Sequence, residues 1–227
     1  VVVFGLWPLI FAAAQRVLMA PGFGLRRPAG LSIVGSLLLG VSIWPLAYEL
    51  YLVGEWAGLV TLDRNQFEMA KRLLTEFRDI PLPVLLLTLA VVPAVLEEFF
   101  FRGYLFQGLR DRFHGPLIIL VTAALFGLFH VLSPSALMPE RFLPSCLLGL
   151  VLGWTCYRTG SVLPGMLLHA CHNGLLLVMV QYQDQLQARG WDLENSAHLP
   201  FLWHVALGGI ALVGAGIVFW STRSRKK

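Results

Sequence analysis

Charged side chains are scarce in this sequence. Only 13% of the 227 residues are Asp, Glu, Lys or Arg, whereas 57% are hydrophobic. The hydrophobic residues stand in long blocks rather than in amphipathic stripes, and a block of about 20 residues is long enough to cross a bilayer as a helix. The scarcity of charge therefore argues against a water-soluble domain. It predicts an all-α, polytopic helical membrane protein.

Paired cysteines and nucleotide-binding motifs are missing as well. Cys146, Cys156 and Cys171 lie inside hydrophobic blocks without a CxxC spacing, so we interpret them as buried hydrophobic residues and not as disulfides or zinc ligands. No G-x-x-x-x-G-K-[ST] phosphate loop is present. The net charge of +4 comes from basic residues at the ends of hydrophobic blocks, as in membrane proteins. We therefore expect no nucleic-acid partner.

The hydrophobic blocks predict about seven transmembrane helices. We divide the chain into an N-terminal region of helices with an amphipathic surface helix (1–80), a central core (81–182), and a polar loop with the last helix and a basic tail (183–227). The predicted spans are 1–20, 29–48, 82–113, 117–132, 142–157, 162–182 and 201–220.

The positions of the basic residues predict the orientation. Cytoplasmic loops of membrane proteins carry an excess of Lys and Arg. The seven spans place most of the basic residues on one side, which we therefore assign to the cytoplasm. We expect a multi-pass protein of a cell membrane, with the bacterial inner membrane as its location. The residues on the basic side are Arg16, Arg26, Arg27, Arg110, Arg112, Arg158 and the tail cations Arg223, Arg225, Lys226 and Lys227.

One span carries ionisable residues in a hydrophobic setting. Glu97, Glu98 and Arg102 lie there, and charged residues at membrane depth are costly and mark functional sites by default. Arg102 follows Glu98 by four residues, so the two can pair on one helix face. Glu97 is rotated by about 100° and faces a different neighbour. Pro93, one turn earlier, predicts a kink.

Two further spans carry histidines at a similar depth. Glu98 lies 17 residues before Gly115, where the chain turns, and His130 lies 15 residues after it. In an antiparallel pair of helices, these residues reach nearly the same level. His169, with Asn173 four residues later, follows the next turn by about nine residues. Three separate helices are therefore expected to bring acidic, imidazole and amide groups together.

Such a group of side chains suits two mechanisms. Glu97, His130 and His169 are suitable ligands for a zinc ion that keeps an open position for water. Alternatively, Glu97 with His130 acts as a general base on water, while His169 and Asn173 stabilise the oxyanion. Either mechanism hydrolyses a carbonyl compound, and a peptide bond inside the membrane is the expected substrate.

The three motifs resemble those of the CPBP intramembrane protease family, which includes the CAAX prenyl endopeptidases and bacteriocin-processing or immunity proteins. The family pattern EExxxR, FxxxH and HxxxN is similar to Glu97–Arg102, Phe126–His130 and His169–Asn173. The resemblance implies that Glu97 activates water and that Glu98 and Arg102 support it. It implies that His130 also activates water or contacts a metal. His169 and Asn173 would be the remaining ligand or oxyanion pair. It also implies an active site that faces the cytoplasm.

Motifs of other intramembrane proteases are absent. The sequence has no HExxH motif and no GxSG-type serine, and its only aspartate in a predicted span is Asp111, at the charged end of 82–113 that we expect to project from the membrane. The expected function is therefore an intramembrane endopeptidase, zinc-dependent or metal-free, that acts in lipid on a peptide or membrane protein. The alternative is a non-catalytic scaffold, immunity-type protein or exporter partner that retains the motif. Because some bacterial family members follow an ABC-exporter permease, and the chain starts at Val1 without methionine, such a permease is a further expected partner.

Overall fold

The structure is a computed structural model that describes residues 2–58, 80–132, 138–188 and 198–223. Within these ranges the regular elements are helices. The predicted class, a helical membrane protein, is confirmed. The helices are α1 (Trp7–Ala14), α2 (Met19–Gly22), α3 (Gly30–Ser42), α4 (Trp44–Trp56), α5 (Leu82–Leu109), α6 (Gly115–Val131), α7 (Phe142–Thr159), α8 (Leu163–Gln181), α9 (Gln183–Gln187) and α10 (Phe201–Ser221).

Among the described residues, four helical segments are long and apolar enough to cross a membrane. They are Gly30–Trp56, which joins α3 and α4, together with α5, α8 and α10. The shorter helices α1, α6 and α7 occupy the other three predicted blocks, so each block is largely helical and the count of seven crossings stays a prediction. The amphipathic helix expected within 55–79 falls almost entirely outside the described residues. The division into three regions also stays a prediction.

The first two helical blocks differ from their predicted bounds. The first helix ends at Ala14, because Arg16 adopts a left-handed φ of 56° that a helix does not tolerate. The second block continues beyond residue 48 to Trp56, with an interruption at Ile43. Pro45 lies in the first turn of α4 and has no N–H to donate to the preceding turn, which explains the interruption.

The helix that carries the two glutamates is irregular. Pro93 cannot donate to the carbonyl of Leu89, and its ring crowds that carbonyl. The backbone immediately before it, Leu86–Val91, is π-helical, and a second π-helical stretch, Phe99–Leu105, follows the glutamates. Wide π turns often occur next to functional sites. The distortion predicted at Pro93 thus takes the form of a π-helical widening of α5 immediately before Pro93, on the N-terminal side of Glu97.

Small residues bring α6 and α7 into close contact. A Cβ atom on Gly149 would lie 2.9 Å from the Cα atom of Ala123, and one on Gly153 would lie 3.3 Å from the side chain of Ile119. Gly149 and Gly153 are spaced by four residues, the small-xxx-small spacing that lets two helices approach closely. On the other side of the bundle, α8 and α10 both pack on α3, where a Cβ atom on Gly40 would meet the carbonyl oxygen of Leu168 at 2.7 Å.

A second carboxylate joins α4 to the start of α10. The Oε2 atom of Glu49 lies 2.6 Å from Nδ1 of His198, and its Oε1 atom lies 3.1 Å from Nε2 of His204. The backbone N–H of Leu199 also donates to Oε1, at 3.2 Å. We call Glu49, His198 and His204 the Glu49 cluster. Sequence analysis had assigned no role to its histidines.

Candidate active site

A fully buried ion pair lies at the centre of the four helices α5 to α8. Nη1 of Arg102 donates to Oε1 of Glu98 at 2.7 Å, and both side chains are 0% exposed. Nη2 of Arg102 donates to the carbonyl oxygen of Gly149 at 2.8 Å, and the guanidinium lies 4.7 Å from the ring centre of Phe126. The predicted pair is present. The bond from Arg102 to Gly149 holds α5 against α7. Removing either partner of the ion pair would leave a buried charge without compensation.

His169 links this buried pair to Glu97. Its Nδ1 atom lies 3.3 Å from Oε1 of Glu98, and its Nε2 atom lies 3.9 Å from Oε2 of Glu97. A carboxylate oxygen only accepts hydrogen bonds, so Nδ1 of His169 carries the proton and donates to Glu98. Glu98 therefore sets the orientation of the imidazole, which presents Nε2 to Glu97.

His130 approaches Glu97 from α6 in the same manner. Its Nδ1 atom donates to the carbonyl oxygen of Phe126 at 2.8 Å, and its Nε2 atom lies 3.7 Å from Oε2 of Glu97. In the neutral imidazole, Nε2 then holds a lone pair that faces a second acceptor. Two acceptors at this distance need a hydrogen-bond donor between them. We call Glu97, His130 and His169 the Glu97 cluster.

Glu97 is the member of the cluster with an unfilled hydrogen-bonding position. Its Oε2 atom is buried and, among the described residues, has no hydrogen-bond partner. The two Nε2 atoms, at 3.7 and 3.9 Å, lie beyond hydrogen-bond distance. Leaving a buried acceptor unsatisfied costs about 1–3 kcal/mol, and more for a charged group. A water molecule at this position has two O–H groups, so it can donate to Oε2 of Glu97 and to Nε2 of one imidazole.

The Glu97 cluster opens into a cavity of about 510 Å³. Asn173, one turn beyond His169 on α8, lines the same cavity, as does His172, whose buried Nδ1 atom lacks a hydrogen-bond partner. The predicted residues Glu97, His130, His169 and Asn173 therefore share one space, while Glu98 and Arg102 lie behind them. The cavity also includes Tyr48, Tyr51, Glu140 and Arg141, which sequence analysis missed because they belong to no motif.

A bound zinc ion requires several ligand atoms that converge on one point at bonding distance. Glu97, His130 and His169 converge, but no group of three or more His, Cys, Asp or Glu side chains within the described ranges is placed to hold a metal ion. As positioned, the three side chains do not fit the ion. Zinc therefore stays a prediction, and no chemical step below uses it.

The fold and the site define a class: a polytopic helical membrane protein with an acid–histidine centre between its helices. Residues 79–175 match the model of the Rce1-like family, described as type II CAAX prenyl endopeptidase Rce1-like. The match confirms the resemblance inferred from the motifs and includes all seven motif residues. The match supports a CAAX-type intramembrane protease at the level of this family.

One curated relative extends the similarity beyond the motifs. An uncharacterized protein of Bacillus subtilis (strain 168), YyaK, is 25% identical over 223 residues, which cover 94% of this chain and 73% of that protein. No solved structure matches the chain.

Proposed function

We propose that the protein is an intramembrane endopeptidase in which Glu97 is the general base that activates water. The observation that supports this role is the buried Oε2 atom of Glu97, which has no hydrogen-bond partner within the part of the chain that the structure describes. It faces Nε2 atoms of two histidines across a gap suited to one water molecule. A base aimed at a bound water inside a cavity is the arrangement that hydrolysis requires.

In the proposed reaction, Glu97 removes a proton from this water as the water oxygen attacks the carbonyl carbon of the peptide. Nε2 of His130 accepts a hydrogen bond from the other O–H group of the water and so fixes the orientation of the water molecule. The tetrahedral intermediate then breaks its C–N bond, and Glu97 returns the proton to the leaving amine. Glu97 therefore acts first as a base and then as an acid.

The oxyanion of the intermediate needs hydrogen-bond donors. Asn173, on the next turn of α8, lines the same cavity, and its amide N–H groups are suited to this task. His169 donates through Nε2 only when both of its nitrogens are protonated, because its Nδ1 atom already donates to Glu98. Asn173 is therefore the principal donor, and Glu98 with Arg102 keeps His169 in place.

The substrate is a peptide or membrane protein in the lipid phase of a bacterial cell membrane. The position of the site between apolar helices and the family match support a membrane substrate. The proposal does not require an exporter permease, which stays a possible partner predicted from the sequence only.

The decisive experiment measures cleavage of a pool of membrane-anchored peptides by the purified full chain in lipid bilayers. Glu97→Gln and His130→Ala are each expected to reduce cleavage by about 10²–10⁴-fold, the usual contribution of general acid–base groups. Glu49→Gln and His204→Ala remove the same groups from the Glu49 cluster and should retain full cleavage. Full cleavage by Glu97→Gln would overturn the proposal. Metal analysis of the same preparation separates the zinc-dependent mechanism from the metal-free one.

A further inference from the structure

His172 is a second histidine of α8 that lines the cavity next to Glu97. It is 5% exposed, and among the described residues its buried Nδ1 atom has no hydrogen-bond partner. His172 belongs to none of the three motifs, and the reaction proposed above does not use it. A buried polar atom without a partner is rare in a folded protein and calls for an explanation. A ligand that enters the cavity offers one.

Contact with α3 holds the ring of His172 in place. A Cβ atom on Gly40 would lie 2.7 Å from the carbonyl oxygen of Leu168 and 3.0 Å from the Cβ atom of Cys171. The backbones of α3 and α8 therefore touch directly before His172. This close approach brings the backbone of Gly40 within reach of the imidazole, and the two form a hydrogen bond. The ring is thus fixed by the fold before any ligand enters.

The hydrogen bond to Gly40 determines which ring nitrogen of His172 carries the proton. Since Nδ1 has no partner, the bond to Gly40 is made by Nε2. A backbone carbonyl only accepts hydrogen bonds, so Nε2 holds the proton. Neither nitrogen is hydrogen-bonded to an anion, and a charged imidazole at this depth would be unfavourable. His172 is therefore neutral, and its Nδ1 atom presents a lone pair as an acceptor.

Asn173 follows His172 directly and lines the same cavity. Adjacent residues of a helix differ in direction by about 100°, so the two side chains address neighbouring parts of one space. Asn173 offers amide N–H donors, whereas His172 offers an acceptor. In an extended peptide, the N–H and C=O groups of one residue point to the same side of the chain. A neighbouring donor and acceptor are therefore complementary to a single residue of an extended substrate.

We infer that Nδ1 of His172 accepts a hydrogen bond from a backbone N–H of the substrate, that of the residue whose carbonyl carbon is attacked. Asn173 then donates to the oxygen of that carbonyl, so the two side chains together align the peptide bond with the water at Glu97. The identity of the ligand as a peptide rests on the proposed function. The inference makes His172 a substrate-binding residue outside the motifs and requires the substrate to bind in an extended conformation.

The test removes the N–H group from the substrate. The full chain with Glu97→Gln, in lipid bilayers, captures peptides from the membrane-anchored pool, since slow hydrolysis leaves them intact. In one captured peptide, each backbone N–H in turn is replaced by an ester oxygen, which keeps the shape of the chain and removes the donor. The dissociation constant of each version is then measured with the same protein.

Two substitutions at His172 separate its two hydrogen bonds. In His172→Gln, the side-chain amide reaches Gly40 but leaves no acceptor at the position of Nδ1. In His172→Asn, the shorter amide places its oxygen near the position of Nδ1 and loses the bond to Gly40. Both are combined with Glu97→Gln. The matched control is His114→Gln, at an exposed position before α6 that does not line the cavity.

One ester is expected to weaken binding by about 2–12-fold, the usual effect of losing one neutral hydrogen bond. His172→Gln should weaken binding of the parent peptide by a similar factor, and that ester should then have no further effect. His172→Asn and His114→Gln should keep the sensitivity to the ester. If no ester effect depends on His172 in this way, the inference fails, and a bound water accounts for the unpaired Nδ1 atom.

Cleavage by the wild-type chain provides a measurement that needs no substitution at His172. The sensitive N–H should belong to the residue whose carbonyl becomes the new carboxylate. Cleavage at any other residue would overturn the inference, even if both His172 variants folded poorly.

Cleavage also separates this inference from the proposed function. If the wild-type chain cleaves nothing but one ester effect depends on His172, the peptide-binding role stands and the peptidase proposal fails. If cleavage depends on Glu97 but no ester effect depends on His172, the peptidase proposal stands and the inference fails. If the pool yields no captured peptide, the inference fails as well.

Discussion

The protein contains two clusters with the same composition, one glutamate and two histidines, at two places in the bundle. In the Glu49 cluster both carboxylate oxygens have partners, at distances of 2.6, 3.1 and 3.2 Å. In the Glu97 cluster the distances are 3.7 and 3.9 Å, and one buried oxygen has no partner. The side chains of the two glutamates are almost equally buried, at 19% and 14% exposure.

The difference shows how a structural cluster is distinguished from a candidate catalytic one. Glu49 has used its hydrogen-bonding capacity within the protein, so it stabilises the contact between α4 and α10 and has little left for a substrate. Glu97 retains an acceptor that the protein does not satisfy, and it faces a cavity. Native proteins rarely leave such an atom without a ligand, water or catalytic purpose.

The largest expected effect comes from the buried pair behind the Glu97 cluster. Arg102→Met leaves the 0%-exposed carboxylate of Glu98 without its cation, which typically costs about 3–5 kcal/mol of stability. Unfolding in a detergent titration measures this loss. Arg110→Met, at an exposed position directly after the end of the same helix, is the control and should change stability by less than about 0.5 kcal/mol. Equal stability of the two variants would contradict the structural role assigned to Arg102.

Sequence reasoning predicted the Glu97 cluster well because its determinants are short-range and periodic. The i, i+4 spacing of Glu98 and Arg102 predicted their ion pair, and the positions of Glu97, His130 and His169 relative to the turns predicted a common depth. Both follow from helix geometry alone. The catalytic roles of these residues stay predictions, as does the metal.

The Glu49 cluster was not predicted because its members are far apart in sequence and share no motif. His198 lies 149 residues after Glu49, and only the packing of α10 on α3 and α4 brings them together. The tyrosines and Arg141 at the mouth of the cavity were missed for the same reason. Helix breaks were also missed, since Arg16 and Ile43 interrupt blocks that hydropathy treats as continuous.

Asn173 sharpens the comparison, because the Glu49 cluster has no amide that corresponds to it. If Asn173 donates to the oxyanion, Asn173→Ala should reduce the cleavage rate by about 10²–10³-fold. Substrate binding should change much less, because the interaction strengthens only in the transition state. The measurement is kcat and KM on one peptide, with Asn173→Asp as the isosteric variant that lacks the donor. A change confined to KM would assign Asn173 to substrate binding instead.

Gly149 tests whether close helix packing supports the buried pair. A Cβ atom there would lie 2.9 Å from the Cα atom of Ala123, while the carbonyl of Gly149 accepts the hydrogen bond from Arg102. Gly149→Ala should therefore force α6 and α7 apart at a cost of about 1–3 kcal/mol. Gly108→Ala is the matched control, since a Cβ atom at Gly108 meets nothing within 4 Å. Equal stability of the two variants would show that α7 adjusts without strain.

The smallest expected effect lies in the Glu49 cluster itself. The side chain of His198 is 78% exposed despite its 2.6 Å contact with Glu49, and exposed ion pairs contribute about 0–1 kcal/mol. His198→Ala should therefore lower stability by less than about 1 kcal/mol, because His204 and the N–H of Leu199 still bind Oε1 of Glu49, and the side chain of Glu49, 19% exposed, lets water replace His198 at Oε2. Cleavage should be unchanged in the same assay. If His198→Ala instead abolished cleavage while leaving stability intact, the two clusters would have to act together. An unsatisfied glutamate would then no longer distinguish the catalytic cluster from the structural one.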